Sequence, residues 1–240
     1  MRLHRAAFCI FEGRDLIKVL ELFAGQRCIG RAFEKAGHEV FSIDYDKYHR
    51  DIGWYVDIGT IKAGDIIQRF GYPDVIWASP DCSTYSIAAI SHHRTKQPCG
   101  NLLPKSDYAK FCDVVNRNVL RLIQALHPAH WFIENPRGGL RKMDFMQGLS
   151  RYTVTYCQYG DERMKPTDIW TNHPCPNFKA VCRNGAPCHV PAPRGSKTGT
   201  QGRKNKMERS LIPDALCGHI VQICHFHQED SIQAANLLLR

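Results

Sequence analysis

The sequence has no run of about 18 apolar residues, so no segment reads as a membrane-spanning helix. It also lacks the pattern of a secretory leader. Charges interrupt MRLHRAAFCIFEGRD throughout, and no small-residue cleavage site follows. No stretch repeats itself. Acidic residues are nearly missing from one region: between His173 and Arg209, Glu208 stands alone against Lys179, Arg183, Arg194, Lys197, Arg203, Lys204, Lys206 and Arg209. Such a segment favours phosphate contact. The formal net charge of +9 over 240 residues suits a polyanionic partner, although charge alone does not separate this from a generally basic soluble protein. Cysteine, by contrast, is plentiful at eleven. With no leader, these residues read as reduced thiols of a cytoplasmic protein, most of them small buried apolar side chains. The 43% hydrophobic content suffices for one full core with a small appendage.

The chain then alternates strand and helix patterns. LIKVLEL (16–22) is an apolar run ending at FAG. Residues 28–36 carry helical spacing and stop at Gly37. HEVFSID (38–44) is a second strand, residues 60–70 read as helix, and PDVIWASP (73–80) is a strand entering a proline-containing loop. A polar loop is expected from Cys82 to Lys105. The longest helix is expected over 107–126, with Val114, Val115, Val119, Leu122, Ile123 and Leu126 on one face. HWFIEN, YTVTYCQYG and TDIWTN read as later strands, and 213–225 and 230–240 as helices. Such alternation implies an α/β fold with a mostly parallel sheet flanked by helices. Ligands bind at the carboxyl ends of strands in such sheets, where Phe23-Ala24-Gly25, Asp44, Cys82 and Glu134 all fall.

Each of these residues has a specific and a plain reading. FAG turning into a helix lets a ligand approach the main chain, yet many α/β proteins have one such turn. Asp44 can accept from ribose hydroxyls, Tyr45 can platform an adenine, and Asp57-Ile58 can read its edge. Each acid alone is equally a helix cap; their succession at strand ends points to a nucleoside. A cysteine is by default an inert core residue. Cys82 instead sits in the polar loop SPDCSTYS just past a strand. Glu134 closes another strand in FIENPRG. A thiol and a carboxyl at one edge can add to an electron-poor ring.

Together, LELFAG (20–25), SPDCSTYS (79–86), FIENPRG (132–138) and YGDERMKPTDIWTN (159–172) resemble the DNA cytosine-5 methyltransferases, most of all their short phage and bacterial forms. Block order and spacing match over most of 16–226. The resemblance implies a Rossmann-like class I methyltransferase fold. It implies S-adenosylmethionine held by Phe23, Ala24, Gly25, Ile29, Asp44, Tyr45, Asp57, Ile58, Pro80 and Ser210. Cys82 would attack C6 of a flipped-out cytosine, Glu134 would hold N3 and supply a proton, and Asn135 would complete the Glu-Asn pair. Arg163 and Lys165 would contact the flipped nucleotide, its phosphate or the catalytic loop; ordinary surface charge is the plain alternative. Residues 83–105 would close over the base. A monomer acting on DNA in the cytoplasm of a bacterial host is expected, as in restriction-modification or phage systems. Residues 1–172 would form the catalytic and cofactor domain, 173–208 a small basic target-recognition segment rich in cysteine, proline and glycine, and 209–240 C-terminal helices returning to the catalytic domain.

Three departures stand out. Asp81 occupies the place directly before the nucleophile where the family has proline; a carboxylate there disfavours a thiolate, so Asp81 either points away or has a proton-transfer role. Arg27 replaces a small residue in the glycine-rich turn. It either crowds the cofactor or pairs with a carboxylate on it, which keeps open a donor carrying an extra acid group. The target-recognition segment is far shorter than a full domain. RNA cytosine methylation, transfer of a variant one-carbon group and a catalytically inactive DNA-binding homologue therefore remain as alternatives. Within the short segment, Cys175, Cys182, Cys188 and His189 offer a tetrahedral set for structural zinc, without the usual paired CxxC spacing.

Overall fold

A computed structural model describes residues 16–191 and 205–225. Its strands are β1 (Lys18–Leu22), β2 (Glu39–Asp44), β3 (Trp54–Tyr55), β4 (Val75–Ala78), β5 (Arg94–Lys96), β6 (Leu102–Pro104), β7 (His130–Pro136), β8 (Arg151–Thr155) and β9 (Pro166–Thr171). Its helices are α1 (Cys28–Lys35), α2 (Ala63–Phe70), α3 (Ile90–His93), α4 (Asp107–Leu126) and α5 (Lys206–Ser210), followed by α6 over 214–225. None is long and apolar enough to cross a membrane, among the described residues. The helix expected over 230–240 and the basic residues Arg194, Lys197, Arg203 and Lys204 lie outside the described residues.

Seven strands form one sheet in the order β3-β2-β1-β4-β7-β9-β8. The first five run parallel, and β9 is antiparallel to both of its neighbours. This is the mixed, mostly parallel α/β sheet that the alternating strand and helix pattern implies. From β1 the chain moves outward to β2 and β3; from β4 it moves the opposite way to β7. The crevice between these diverging connections opens at the carboxyl ends of β1 and β4. FAG and SPDC lie there.

Strand periodicity sorts the side chains onto two faces. Leu20, Leu22, Ile76 and Ala78 pack with Ile66 of α2 and Val115, Val119 and Leu122 of α4. Val19, Val75 and Trp77 pack with Ile29 and Phe33 of α1 and with Leu216, Ile220 and Cys224 of α6. Glu21 interrupts this second face and is buried beneath α1. It accepts from the Gly30 amide at 2.9 Å and the Ser42 hydroxyl at 2.7 Å, and a Cβ at position 30 would run into its carboxylate.

Two expectations are corrected. Val114 is 54% exposed, so the stripe of α4 excludes it; Asp113 and Asn116 are buried instead. The polar loop from Cys82 to Lys105 carries α3 and the β5–β6 hairpin, folded around Arg94, which is 3% exposed. Arg94 Nη2 donates to Asp113 at 2.7 Å, and Nε donates to the Thr84 carbonyl at 2.8 Å. The Tyr85 hydroxyl donates to the same carboxylate at 2.7 Å. Charge on a buried helix face has no periodic signature; only its partner from another element makes it tolerable. Asp113→Ala would leave Arg94 uncompensated and is expected to cost about 3–5 kcal/mol in urea unfolding. The double change Asp113→Leu with Arg94→Met is expected to recover most of that loss.

Candidate active site

β4 and β7 pair in parallel register with Ala78 beside Ile133, so the next residues of both strands emerge at one edge. From β4 the chain turns through Ser79-Pro80 and delivers Cys82, which is half-buried. From β7 comes Glu134, buried, accepting from the Tyr156 hydroxyl at 3.1 Å. Asn135 follows with no exposure, and its amide donates to the Pro80 carbonyl at 2.9 Å. Its Oδ1 has no partner among the described residues. Just before β9, Lys165 is drawn in. Its Nζ lies 4.5 Å from the centre of the Tyr156 ring and donates to the Arg209 carbonyl at 2.9 Å. Gly138 completes the closure: a Cβ there would sit 2.6 Å from the Tyr85 carbonyl, so a side chain would push β7's exit off the cysteine loop.

The electrostatics follow from this packing. Burial first, then the negative charges of Asp81 and Glu134, push the Cys82 thiol up to about 11 against an ordinary value of 9.0; Lys165 opposes them. Burial lowers the Lys165 ammonium, while Glu134 and Cys82 pull it back up. Burial, with Glu134 next, raises the Tyr156 phenol far above its ordinary range, so it remains a donor. Asp81 does not point away from the site. It faces the adjoining cavity and accepts from the Ser83 amide at 2.6 Å.

That cavity, about 210 Å³, is lined by Phe23, Tyr45, Asp57, Ile58 and Pro80. Its other wall is α4, through Tyr108, Phe111, Val115 and Asn116, residues the sequence motifs did not single out. Ala24 and Gly25 form the turn above it, with the Gly25 amide donating to Asp44 Oδ2 at 2.9 Å. Asp44 Oδ1 accepts from the Asp46 amide at 2.8 Å, so each carboxylate oxygen already holds a main-chain donor. The turn is strained: Phe23 and Arg27 have φ of 57° and 55°.

Several expected site residues sit elsewhere. Ile29 has no exposure and packs in the core beneath α1, because its helical phase faces the sheet and not the crevice. Ser210 is exposed at the end of α5, its hydroxyl bonded to the Met207 carbonyl at 2.7 Å, away from the cavity lining. Arg163 is 2% exposed. It pairs with Asp161 and donates to the carbonyls of Glu208, Arg209 and Leu211 at 3.1–3.3 Å, so it clamps the end of α5 and the residue after it and is no surface charge. Arg27 pairs with Glu34 and donates through Nε to Ser42 at 2.9 Å; it is spent beneath α1. Cys175 is exposed and bonded to Asn177, apart from the other proposed zinc ligands. The group that does converge is Cys157, Cys182, Cys188 and His189, with ligand atoms all within 4.8 Å of one another.

No family model matches the chain. Over 227 residues, 87% of this chain and all of the relative, it is 24% identical to the probable DNA (cytosine-5)-methyltransferase of Frog virus 3 (isolate Goorha). The family resemblance read from the motifs stands on that relative. Solved structures with some likeness include S. pombe Dnmt2 methyltransferase (16% identity, 65% of this chain and 48% of that one, TM-score 0.45). Another is the Entamoeba histolytica methyltransferase EhMeth (13%, 66% and 53%, 0.47). A third is a mutant of Spodoptera frugiperda DNMT2 (15%, 73% and 57%, 0.42). The chain spans about half the length of these solved structures.

The raised thiol has a direct readout. With an ionisation near 11, alkylation of Cys82 at pH 8 is expected to run about a hundredfold slower than for an ordinary thiol, followed peptide by peptide in mass spectrometry. Removing a negative neighbour favours the thiolate, so Asp81→Asn should move the alkylation profile to lower pH. Lys165→Met should move it to higher pH.

Proposed function

We propose that this chain methylates carbon 5 of cytosine in DNA, taking the methyl group from S-adenosylmethionine. One observation carries the reading: Cys82, Glu134, Asn135 and Lys165 meet at the ends of β4 and β7 and the start of β9, beside the cavity lined by Phe23, Tyr45, Asp57 and Ile58. The cavity fits the nucleoside end of the donor. Phe23, Ile58 and Pro80 offer apolar contact for an adenine, and Asp57 a carboxylate for its edge. When bound, S-adenosylmethionine supplies a methyl group on an electrophilic sulfonium sulfur.

The residues divide the remaining work. Aromatic C5 is a weak nucleophile until C6 is saturated, so the Cys82 sulfur forms a bond to C6 and the ring's electrons move towards C5 and N3. Glu134 holds N3 and gives it a proton as that charge builds, with the Tyr156 hydroxyl steadying the carboxyl from behind. C5 accepts the methyl group; a water-derived base then removes the C5 proton, the C6–S bond breaks with its electrons leaving on sulfur, and N3 returns its proton to Glu134, which restores the ring. The ammonium of Lys165 is the cation that favours the Cys82 thiolate and offsets Asp81. C6 is buried in a duplex stack, so the base must leave the helix at a cost of roughly a few kcal/mol.

A donor bearing an extra acid group loses its support, because Arg27 is already paired with Glu34 and Ser42. The inactive-homologue reading rests on Asp81 alone and is met by the same experiment that tests catalysis. The full chain, incubated with S-adenosylmethionine and duplex DNA containing 5-fluorocytosine, is expected to give a complex stable to denaturing gel electrophoresis; Cys82→Ser should give none. On unmodified DNA, Glu134→Gln should lower kcat by roughly 10²–10⁴-fold. Labelled methyl entering a matched RNA and not the DNA, or neither, would overturn the proposal.

A further inference from the structure

The geometry points to a structural zinc site formed by Cys157, Cys182, Cys188 and His189. It is a clasp that ties the cysteine-rich segment to the catalytic sheet. Cys182 Sγ lies 3.2 Å from Cys188 Sγ and 3.5 Å from His189 Nδ1, and Cys188 Sγ lies 3.7 Å from the same nitrogen. A tetrahedral zinc with Zn–S near 2.3 Å and Zn–N near 2.0 Å spaces its ligands by about 3.5–3.8 Å. The group therefore needs small adjustments and no rebuilding to close on the ion. Cys157 belongs to the turn after β8, and the other three come from a segment without regular secondary structure.

Two further features suit a clasp. The Cys182 amide donates to Thr155 Oγ1 at 2.9 Å, and the Val190 amide donates to the Glu162 carbonyl at 2.9 Å, so one end of the ligand loop lies against the end of β8 and the other against the connection from β8 to β9. Residues 173–191 bury little apolar surface: beyond Cys182 and Pro176, both buried, Phe178 alone packs against the core, and only partly buried. A segment so poor in core needs another source of order. Cys157 and Cys182 are buried, whereas Cys188 is exposed and leaves the metal a way in. Each bound thiol releases its proton to solvent, and no oxidation is involved.

Elemental analysis of the full chain, purified under reducing conditions, is expected to find about one zinc per chain. Cys157→Ser and Cys188→Ser should lose the metal, and Cys175→Ser should keep it. Should the variants fold poorly, the unaltered chain stripped and refilled with Co(II) supplies a second readout: the intense visible absorption of tetrahedral thiolate coordination. Chelation should also expose Lys179 and Arg183 to trypsin, with at least a tenfold faster cut there. No zinc and no cobalt spectrum, a Cys182–Cys188 disulfide in place of metal, or zinc lost with Cys175 and kept without Cys157 would overturn the assignment. None of these readouts depends on methyl transfer.

Discussion

The side-chain amide of Asn135 reaches across from β7 to the Pro80 carbonyl at 2.9 Å, and the relative position of thiol and carboxyl depends on that span. Parallel pairing of β4 with β7 brings two strand ends level, but it does not govern the loops beyond them. The Asn135 bond acts one residue past Glu134 and two before Cys82, where drift would otherwise begin. Both groups are buried, so breaking the bond would strand an amide and a carbonyl, each costing about 1–3 kcal/mol. Gly138 adds the second restraint, letting the chain after β7 press against the Tyr85 carbonyl. Cys82 is thus held by closure of the chain on both sides.

The same closure sets the site's electrostatics. It removes water from a sulfur flanked by Asp81 and Glu134, with Lys165 as the neighbouring cation that favours the charged sulfur. Lysine at this place differs in kind from arginine: burial depresses its ionisation, so its charge is itself adjustable. Arg163 provides the fixed charge nearby and spends it on holding the 208–211 carbonyls. One of the two cations is therefore a scaffold clamp, and the other faces Cys82 and Glu134. A thiol kept protonated at rest is also slow to oxidise.

Much of this was legible in the sequence, and what was missed has a physical pattern. Apolar runs of strand length gave β1, β2, β4 and β7, and the chemistry-bearing residues at their ends followed from chain direction. The 107–126 helix matches α4, which Ser106 caps by accepting from the Ala109 amide at 3.1 Å. Val114 was misplaced because apolar character, and not helical phase, assigned it. Ile29 was placed by its position in a motif, while its phase on α1 turned it into the core. Cys157 escaped as a ligand because ligand sets are sought within one short stretch; here β8 carries a fourth ligand to a loop some 25 residues further on. Asp113 and Asn116 could not be read at all, since their partners come from a loop that looked featureless.

That loop bears on how a base could enter. Thr84 and Tyr85 at its start and Arg94 in its middle converge on Asp113 of α4, all of them buried. A closing motion of the whole segment from 83 to 105 would have to break this ion pair at a cost of several kcal/mol. Between these anchors, residues 86–93 hold no buried ion pair among the described contacts, although Ile90 packs against the core and His93 Nδ1 lies 2.8 Å from the Ser106 hydroxyl. The exposed part at the start of this stretch is Ile87-Ala88, with Ile87 at 73% exposure. On the proposed function, a rearrangement that admits an extrahelical cytosine would therefore be cheapest near Ile87, with the turn that carries Cys82 left in place. Contact with the surrounding nucleic acid would, on the same proposal, fall to two short elements, the 86–93 stretch and the segment after β9 that carries Lys179 and Arg183. So small a reading surface fits a short target sequence better than a long one.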